Sequence, residues 1–177
     1  MINFVTSNKG KHIEAQAILG DLVQKDIGYV EIQADTLEEV ALYGMKEVAA
    51  RLQGPVMLED AGLFVEALQG FPGVYSAYVQ KTIGNAGILR LMGALENRLA
   101  YFKSVVAFAE PGLGTVMFSG EVHGQIGFEP RGKKGFGYDP IFYVGDESLA
   151  EMDLEKKNQI SHRAGSMRAL KKWLDSR

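Results

Sequence analysis

A change in hydrophobic periodicity near residue 98 constrains the fold of this chain more than any other feature. Before it, segments with helical spacing alternate with short apolar runs. After it, residues 99–110 and 115–127 are β-rich and are separated by Pro111-Gly112-Leu113-Gly114, which predicts a hairpin. Alternating helices and strands followed by a long hairpin indicate a mixed α/β fold. The 177 residues suffice for one compact core, and we expect a single domain spanning 1–177.

The helix over residues 36–52 is the clearest local prediction. Thr36 and Glu39 form a capping box, apolar side chains then recur every three or four residues, and Gly54-Pro55 ends the pattern. The other predicted elements are strands at 2–6, 29–33, 56–59 and 141–144, and helices from the turn at 7–11 to Gly20, over 82–95, and from Ser161 through Trp173.

Composition excludes several classes of function. The absence of cysteine rules out disulfides, zinc–thiolate sites and cysteine nucleophiles. With only three histidines, any metal is expected to be a hard cation held by oxygen, with magnesium the leading candidate. A net charge of −3 argues against a nucleic-acid binder. No apolar stretch approaches the ~20 residues of a membrane span, and no signal peptide is apparent, so we expect a cytoplasmic protein with no membrane partner.

The segment Thr6-Ser7-Asn8-Lys9-Gly10-Lys11 lies between a predicted strand and a predicted helix. The N-terminus of a helix presents unpaired N–H groups and a partial positive charge, which suit phosphate. Lys11 adds a full charge. The alternative is ordinary helix capping by Ser7 or Asn8 with solvated lysines, since the pattern G-x-x-x-x-G-K-[ST] is absent.

The pair Glu59-Asp60 is predicted to stand at the end of a buried strand, followed by Ala61-Gly62. Strand ends are where α/β folds bind ligands, and a carboxylate there can hold magnesium or activate water. Glu31, at the end of another predicted strand, is a candidate to converge on Asp60. The alternative is a simple turn, in which Asp and Gly are common.

Two later segments are candidates for contact with a flat ligand. In Phe136-Gly137-Tyr138-Asp139 the glycine permits close backbone approach, and Phe136 or Tyr138 could stack on a base; the alternative is a turn with core aromatics. The other segment is 157–163, in which His162 and Arg163 follow the predicted N-cap Ser161. Cations at the start of a helix oppose the helix dipole, so these two residues indicate an anionic or carbonyl-rich ligand. The alternative there is an exposed basic turn.

Taken together and in order, these segments resemble the inosine triphosphate pyrophosphatases, the non-standard purine nucleoside triphosphate pyrophosphatases. The resemblance covers the whole chain. It is carried by 6–11, Glu14, Leu58-Glu59-Asp60-Ala61-Gly62-Leu63, Gly70-Phe71-Pro72-Gly73-Val74-Tyr75-Ser76, Phe136-Gly137-Tyr138-Asp139-Pro140 and 155–163.

This resemblance implies hydrolysis of ITP, dITP and XTP to the monophosphate and pyrophosphate, with Mg²⁺ as cofactor. It implies an elongated mixed sheet flanked by helices, with two lobes and a substrate cleft between them, in a homodimer. It places Asp60 as the catalytic residue and Glu31 and Asp60 as the metal ligands. The implied substrate contacts are Thr6, Ser7, Asn8, Lys9, Gly10 and Lys11 on the triphosphate, the backbone of Ala61, and Phe136, Gly137, Tyr138, Asp139, Lys157, His162 and Arg163 on the base.

The chain departs from the family pattern at two places. Where many members carry a basic residue after the proline-glycine loop, Ser76-Ala77-Tyr78 has none, and the next is Lys81. Position 61 is alanine where some members have a hydroxyl residue. Two other functions stay open: a pyrophosphatase of the same fold with broader or modified-pyrimidine specificity, and a nucleotide-binding module without turnover. Retention of Lys11, Glu31 and Asp60 argues against the second.

Overall fold

A computed structural model describes all 177 residues and confirms the mixed α/β prediction. The strands are β1 (Ile2–Val5), β2 (Leu22–Lys25), β3 (Val56–Val65), β4 (Pro72–Gly73), β5 (Leu99–Glu110), β6 (Leu113–Ile126), β7 (Phe142–Val144) and β8 (Glu147–Ser148). The helices are α1 (Lys9–Leu19), α2 (Leu37–Ala49), α3 (Ser76–Thr82), α4 (Gly84–Met92), α5 (Leu154–Ile160) and α6 (His162–Asp175). None of these helices is long and apolar enough to cross a membrane.

The eight strands form one mixed sheet with the order β2-β1-β3-β5-β6-β7-β8, and β4 pairs with β3. Strand β1 is parallel to both β2 and β3, and its pairing with β3 ends where Val5 faces Leu58. Beyond that point β3 continues and pairs antiparallel with β4, where Leu63 faces Gly73. The β5–β6 hairpin predicted from the sequence is present.

The chain divides into two compact units. We call unit 1 the residues Met1–Ala61, Ser104–Gly120 and His162–Arg177, and unit 2 the residues Gly62–Lys103 and Glu121–Ser161. The chain therefore passes from one unit to the other inside β3, β5 and β6, and again between α5 and α6.

The core of unit 1 forms because α1 and α6 bring apolar faces to the β1 strand region. Phe4, Met57, Phe108 and Met167 are fully buried in one cluster. Helix α2 begins with the predicted capping box, in which Thr36 accepts from the backbone of Glu39 and the Glu39 side chain accepts from the backbone of Thr36. The capping box and the buried face of α2 therefore both favour a helix over the same residues.

The core of unit 2 is a separate cluster on the hairpin half of the chain. Phe102 and Phe142 pack with their ring centres 4.7 Å apart, and Ile88 and Met92 bring the inner face of α4 into the same cluster. Tyr138 is buried there too, 5% exposed. This core fixes the segment that precedes β7 and so determines where the Phe136–Asp139 backbone lies.

The predicted strand over residues 29–33 is wrong. These residues have no regular structure, and the strand lies earlier, at Leu22–Lys25. The reason is that Gly20, at φ 84°, ends α1, so that Leu22 can pair with Ile2 of β1. The alternation over 29–33 does not face a core, since Val30 is 58% exposed.

Three other boundaries differ from the sequence prediction. The helix predicted over 82–95 is α4, which starts at Gly84, where φ is 60°, and ends at Met92; helix α3 lies before it and was not predicted. Helix α5 precedes α6 and was not predicted. Strand β3 runs to Val65 and does not stop at Glu59, so Asp60 lies inside a strand.

Candidate functional site

The turn after β1 is a capped helix N-terminus. The Asn8 side chain accepts a hydrogen bond from the Lys11 backbone N–H at 3.1 Å, and the Asn8 N–H donates to the Thr6 hydroxyl at 3.1 Å. Ser7 and Lys9 are exposed at this turn. Capping by Asn8, which the sequence left as an alternative, is therefore present. Capping and anion binding are compatible, because one side-chain bond satisfies only one of the N–H groups at a helix start.

Lys11 reaches from this turn to β3. Its ammonium lies 2.9 Å from the Glu59 carboxylate and also donates to the Glu59 carbonyl at 3.1 Å. On its other side the Glu59 carboxylate accepts from the Ser104 hydroxyl at 2.7 Å and from the Arg163 Nε at 3.1 Å. Arg163 in turn binds Glu14 through Nη1. We call Glu14, Arg163, Glu59 and Lys11 the charge network.

The charge network is internally balanced. Burial alone would raise the pKa of Glu59, but Arg163 and Lys11 beside it hold that pKa well below its usual range. Burial would lower the pKa of Arg163, but Glu59 and Glu14 raise it. Both shifts favour the charged forms of Glu59 and Arg163. Lys11 is the member of the network that lies nearest to solvent, with its side chain 20% exposed.

Asp60 is the next residue along β3, and its environment is different. Burial raises the pKa of Asp60 to about 7; Lys11 opposes the shift, while the charges of Glu59 and Glu31 add to it. Glu31, whose charge is one of these causes, comes from an irregular segment and not from a strand end. A hydrogen bond of 3.0 Å from the Ala61 N–H to Asp60 Oδ1 orients the carboxylate.

The Phe136–Asp139 segment in unit 2 folds around one carboxylate. Asp139 Oδ2 accepts from the Phe136 N–H at 2.8 Å and from the Lys157 ammonium at 2.6 Å. The same ammonium lies 4.9 Å from the centre of the Phe136 ring. Lys157 and Asp139 are both buried, so this is an enclosed ion pair that fixes the Phe136 backbone.

Tyr138 does not present its ring to a ligand, which corrects the prediction that it could stack on a base. The ring belongs to the core of unit 2, and its hydroxyl donates to the Ser76 carbonyl at 2.8 Å. The core-aromatic alternative is therefore right for Tyr138. Phe136 is only partly buried, and it remains the aromatic candidate of this segment.

His162 and Arg163 occupy the first turn of α6 in unit 1 and are 3% and 2% exposed. The alternative of an exposed basic turn is therefore wrong. The cost of cations at a helix start is offset for Arg163 by Glu14 and Glu59. The backbone packs closely here, since a Cβ on Gly120 would lie 2.3 Å from the His162 carbonyl oxygen.

The sequence did not predict the contacts of Glu59, Glu14 and Tyr29. It offers Glu59 only as part of the pair Glu59-Asp60, and Glu14 only among the residues that carry the family resemblance. Tyr29 was read as part of a strand, but its ring packs on Gly44, where a Cβ would lie 2.7 Å from it. Burial raises the pKa of Tyr29, and Asp60, Glu31 and Glu59 raise it further. Gly44 on the apolar face of α2 was the signal for this close approach.

No group of three or more histidine, cysteine or acidic side chains is gathered as a metal cluster. The Glu59 carboxylate is occupied by Lys11, Ser104 and Arg163, so the carboxylates left as candidate metal ligands are Asp60 and Glu31, whose charge adds to the raised pKa of Asp60. Magnesium is commonly held by one or two carboxylates together with waters and substrate phosphates. The donor chemistry therefore fits magnesium better than a metal that needs a complete protein cage.

These features define a mixed α/β protein with a candidate anion-binding turn beside a carboxylate of raised pKa. Residues 2–173 match the model of the Ham1 family, and the chain belongs to that family. The resemblance to the inosine triphosphate pyrophosphatases is confirmed by curated relatives.

One relative is the dITP/XTP pyrophosphatase of Thermococcus kodakarensis, 55% identical over 97% of this chain and 95% of the relative. Another is the dITP/XTP pyrophosphatase of Methanopyrus kandleri, 50% identical over 96% and 94%. Among solved structures, the Ham1 protein of Staphylococcus aureus has a TM-score of 0.85 at 32% identity, covering 99% of both chains. A HAM1 protein from Coxiella burnetii has a TM-score of 0.87 at 30% identity, covering 99% of this chain and 98% of that one.

Proposed function

We propose that this chain hydrolyses purine nucleoside triphosphates that carry non-standard bases, ITP, dITP and XTP, to the monophosphate and pyrophosphate. The relatives named dITP/XTP pyrophosphatase support the substrate class, because they match nearly the whole chain. The observation that carries the chemistry is Asp60, a largely buried carboxylate whose pKa of about 7 suits a general base at neutral pH.

In the proposed reaction water attacks the α-phosphorus. The new bond joins the water oxygen to the α-phosphorus, and the bond to the bridging oxygen of the β-phosphate breaks, so that pyrophosphate leaves. Asp60 accepts the proton of the water. Lys11 and the N–H groups at the start of α1 stabilise the negative charge of the phosphates, with Thr6, Ser7, Asn8, Lys9 and Gly10 forming the turn around them. Positioning and electrostatic stabilisation supply most of the rate in such reactions.

Magnesium is part of this proposal. Glu31 and Asp60 would hold it, as the donor set near Asp60 supports. When bound, magnesium neutralises phosphate charge and favours departure of pyrophosphate. Lys11 provides charge compensation that does not depend on the metal, because the Glu59 carboxylate and carbonyl fix its ammonium.

Base recognition is proposed for the residues that the resemblance assigns to it. Phe136 stacks on the base, and the backbone of Gly137, Tyr138 and Asp139 approaches its edge. Lys157, His162 and Arg163 supply donors or fix the groups that do. Hypoxanthine and xanthine carry a carbonyl at position 6, whereas adenine carries an amino donor there. Donors that a 6-amino group leaves unpaired can produce discrimination of up to ~10⁴-fold or more.

We also propose that the protein acts as a homodimer, as the family resemblance implies, and in the cytoplasm, as expected from the sequence. The absence of a basic residue at Ser76-Ala77-Tyr78 distinguishes this chain from many members. Any basic contact that those members make from this loop is therefore absent here, and phosphate binding rests on Lys11 and the turn before α1.

The proposed chemistry is tested by identifying the products of ITP hydrolysis with magnesium in water enriched in ¹⁸O. We expect IMP and pyrophosphate in equal amounts, with the label in IMP, because water attacks the α-phosphorus. Release of orthophosphate, or label in pyrophosphate, would contradict the mechanism. Binding of ITP without any product over hours would support the alternative of a nucleotide-binding module.

A further inference from the structure

Two neutral side chains of unit 2 converge on one backbone carbonyl of the Phe136–Asp139 segment. Gln80 Nε2, in α3, and Asn85 Nδ2, in the first turn of α4, each donate to the Gly137 carbonyl oxygen at 3.1 Å. Both donors come from more than 50 residues away in sequence, with separations of 57 and 52. We call Gln80, Asn85 and the Gly137 carbonyl the amide clamp.

The orientation of both amides is determined by this carbonyl. The oxygens Gln80 Oε1 and Asn85 Oδ1 are buried and have no hydrogen-bond partner. Rotating either amide would bring its oxygen against the Gly137 oxygen, which has no proton to share. Buried polar atoms normally have a hydrogen-bond partner. Here two amide oxygens lack one, while the Gly137 carbonyl oxygen accepts two hydrogen bonds. This arrangement indicates that fixing the carbonyl matters more than pairing the two amide oxygens.

The clamp acts where the segment is otherwise least constrained. Gly137 has φ 63°, and a Cβ placed on it would meet nothing within 4 Å, so packing does not fix its backbone. The flanking residues are held differently: Asp139 binds the Phe136 N–H, and the Tyr138 hydroxyl binds the Ser76 carbonyl. The amide clamp restrains the Gly137–Tyr138 peptide directly at its carbonyl oxygen, whereas the Phe136 carbonyl before it accepts from the Asp139 N–H at 3.2 Å.

We infer that Gln80 and Asn85 are positioning residues for base recognition, which they achieve by holding the Gly137 carbonyl and so orienting the Phe136–Tyr138 backbone. This inference rests on the proposed function, in which that backbone and Phe136 contact the base. Neither residue has a role in the reaction at phosphorus, since both act through the Gly137 peptide. Their removal should therefore change substrate affinity and base selectivity and leave the chemical step alone.

The test compares Gln80→Met, Asn85→Leu and the double variant, which keep side-chain volume and remove the donors, with Thr82→Val. Thr82 lies between the two clamp residues and bonds only to carbonyls of its own helix, Tyr78 and Val79. For each protein, kcat and KM are measured with ITP and ATP, together with the ITP dissociation constant and the unfolding midpoint.

One neutral hydrogen bond corresponds to roughly a fivefold change in an equilibrium constant. We expect the ITP KM to rise about fivefold in each single variant and about 25-fold in the double variant, with kcat within about twofold of wild type. The ratio of kcat/KM for ITP to kcat/KM for ATP should decrease. The unfolding midpoint should stay at the wild-type value, because each substitution also removes an unpaired buried oxygen. Thr82→Val should match wild type.

An ITP KM within twofold of wild type in the double variant would overturn the inference, as would a lower kcat at unchanged KM. If the double variant does not fold, the single variants decide by the same criteria. A wild-type chain that released no pyrophosphate from any triphosphate would contradict the proposed function instead. The dissociation constants for ITP would then decide the inference: unchanged binding in the clamp variants overturns it.

Discussion

The two candidate sites of this protein, the charge network and the Phe136–Asp139 segment, are held in place by different interactions. In unit 1 the charge network joins two acidic and two basic side chains, and Lys11 is positioned by its ion pair with Glu59. In unit 2 the Phe136–Asp139 backbone is held by one ion pair, Lys157–Asp139, and by neutral donors on the Gly137 carbonyl. Charges suit the phosphates, which every nucleoside triphosphate shares, whereas a fixed backbone suits a base, which differs from others by single donors and acceptors. Changes at Lys11 and Asp60 in unit 1 should therefore alter turnover of all substrates, and changes in the Phe136–Asp139 segment of unit 2 should alter the choice among them.

The largest effect is expected from Asp60→Asn. Removing the base should lower the rate of pyrophosphate release from ITP by about 10²–10⁴-fold, while ITP binding stays within about threefold, since general base catalysis contributes that much and the amide keeps the shape. Rate and binding are measured by product assay and calorimetry. Asp21→Asn, an exposed residue of unit 1, is the control and should behave as wild type. Normal turnover by the Asp60 variant would remove this residue from its role.

Glu59→Gln should have the next largest effect, on folding stability. It leaves the buried Arg163 and the Lys11 ammonium without a charged partner on one side, and breaking a buried pair costs about 3–5 kcal/mol. Glu47→Gln, which breaks the more exposed Glu47–Arg51 pair in the same unit, should cost less than about 1 kcal/mol. Urea unfolding of both variants provides the comparison, and equal losses would show that the charge network does not stabilise the fold.

The third effect is on pH dependence. Asp60 has a folded pKa raised to about 7, so the folded state binds its proton more tightly than the unfolded chain does between pH 3.8 and about 7. Below pH 7, kcat/KM for ITP should therefore fall about tenfold per pH unit, because the neutral acid cannot accept a proton. Stability should decrease as pH rises through the same window.

These pH effects are measured on wild type and Asp60→Asn together. In the variant, the free energy of unfolding should no longer include the pH dependence that Asp60 contributes. At pH 8 this free energy should exceed that of the wild type by up to about 4 kcal/mol, the equivalent of roughly three pKa units. A pH–rate profile flat between pH 5 and 8 would contradict the raised pKa of Asp60 or its role as base.

The smallest effect should come from Phe136→Ala in unit 2. Stacking of a base on an aromatic ring is worth about 1–3 kcal/mol, so KM should rise by roughly 5- to 100-fold with little change in kcat. Phe128→Ala is a matched control, because Phe128 is 78% exposed in the same unit. A fall in kcat without a change in KM would place Phe136 in the chemical step. It would contradict the proposal that the Phe136–Asp139 segment contributes to base recognition alone.

The sequence predicted those features that depend on neighbouring residues. The turn at Thr6–Lys11, the capping box at Thr36 and the β5–β6 hairpin are all set by local pattern, and the structure confirms them. The family resemblance also implies roles for Asp60 and Phe136, and these roles stay predictions. The strand prediction over 29–33 failed because alternation alone does not distinguish a strand from an irregular segment, and Val30 in this segment is 58% exposed.

What the sequence could not predict depends on distant partners. Glu59 meets Arg163 across 104 residues and Lys11 across 48, so nothing in the local pattern distinguishes its role from that of Asp60. The amide clamp has the same origin, because Gln80 donates to the Gly137 carbonyl across 57 residues. Tertiary contacts thus decide which of two adjacent carboxylates stays charged and which one has a pKa near neutrality.

The central claim, that a common phosphate chemistry serves a selected set of bases, is tested most directly by one substrate panel. Pyrophosphate release by the wild-type chain is measured side by side for ITP, XTP, dITP, GTP, ATP, dUTP and methylated dTTP with magnesium. The account predicts that kcat/KM for ITP, XTP and dITP exceeds that for ATP by about 100-fold or more. Comparable values across the panel would contradict it and favour a pyrophosphatase of broad specificity.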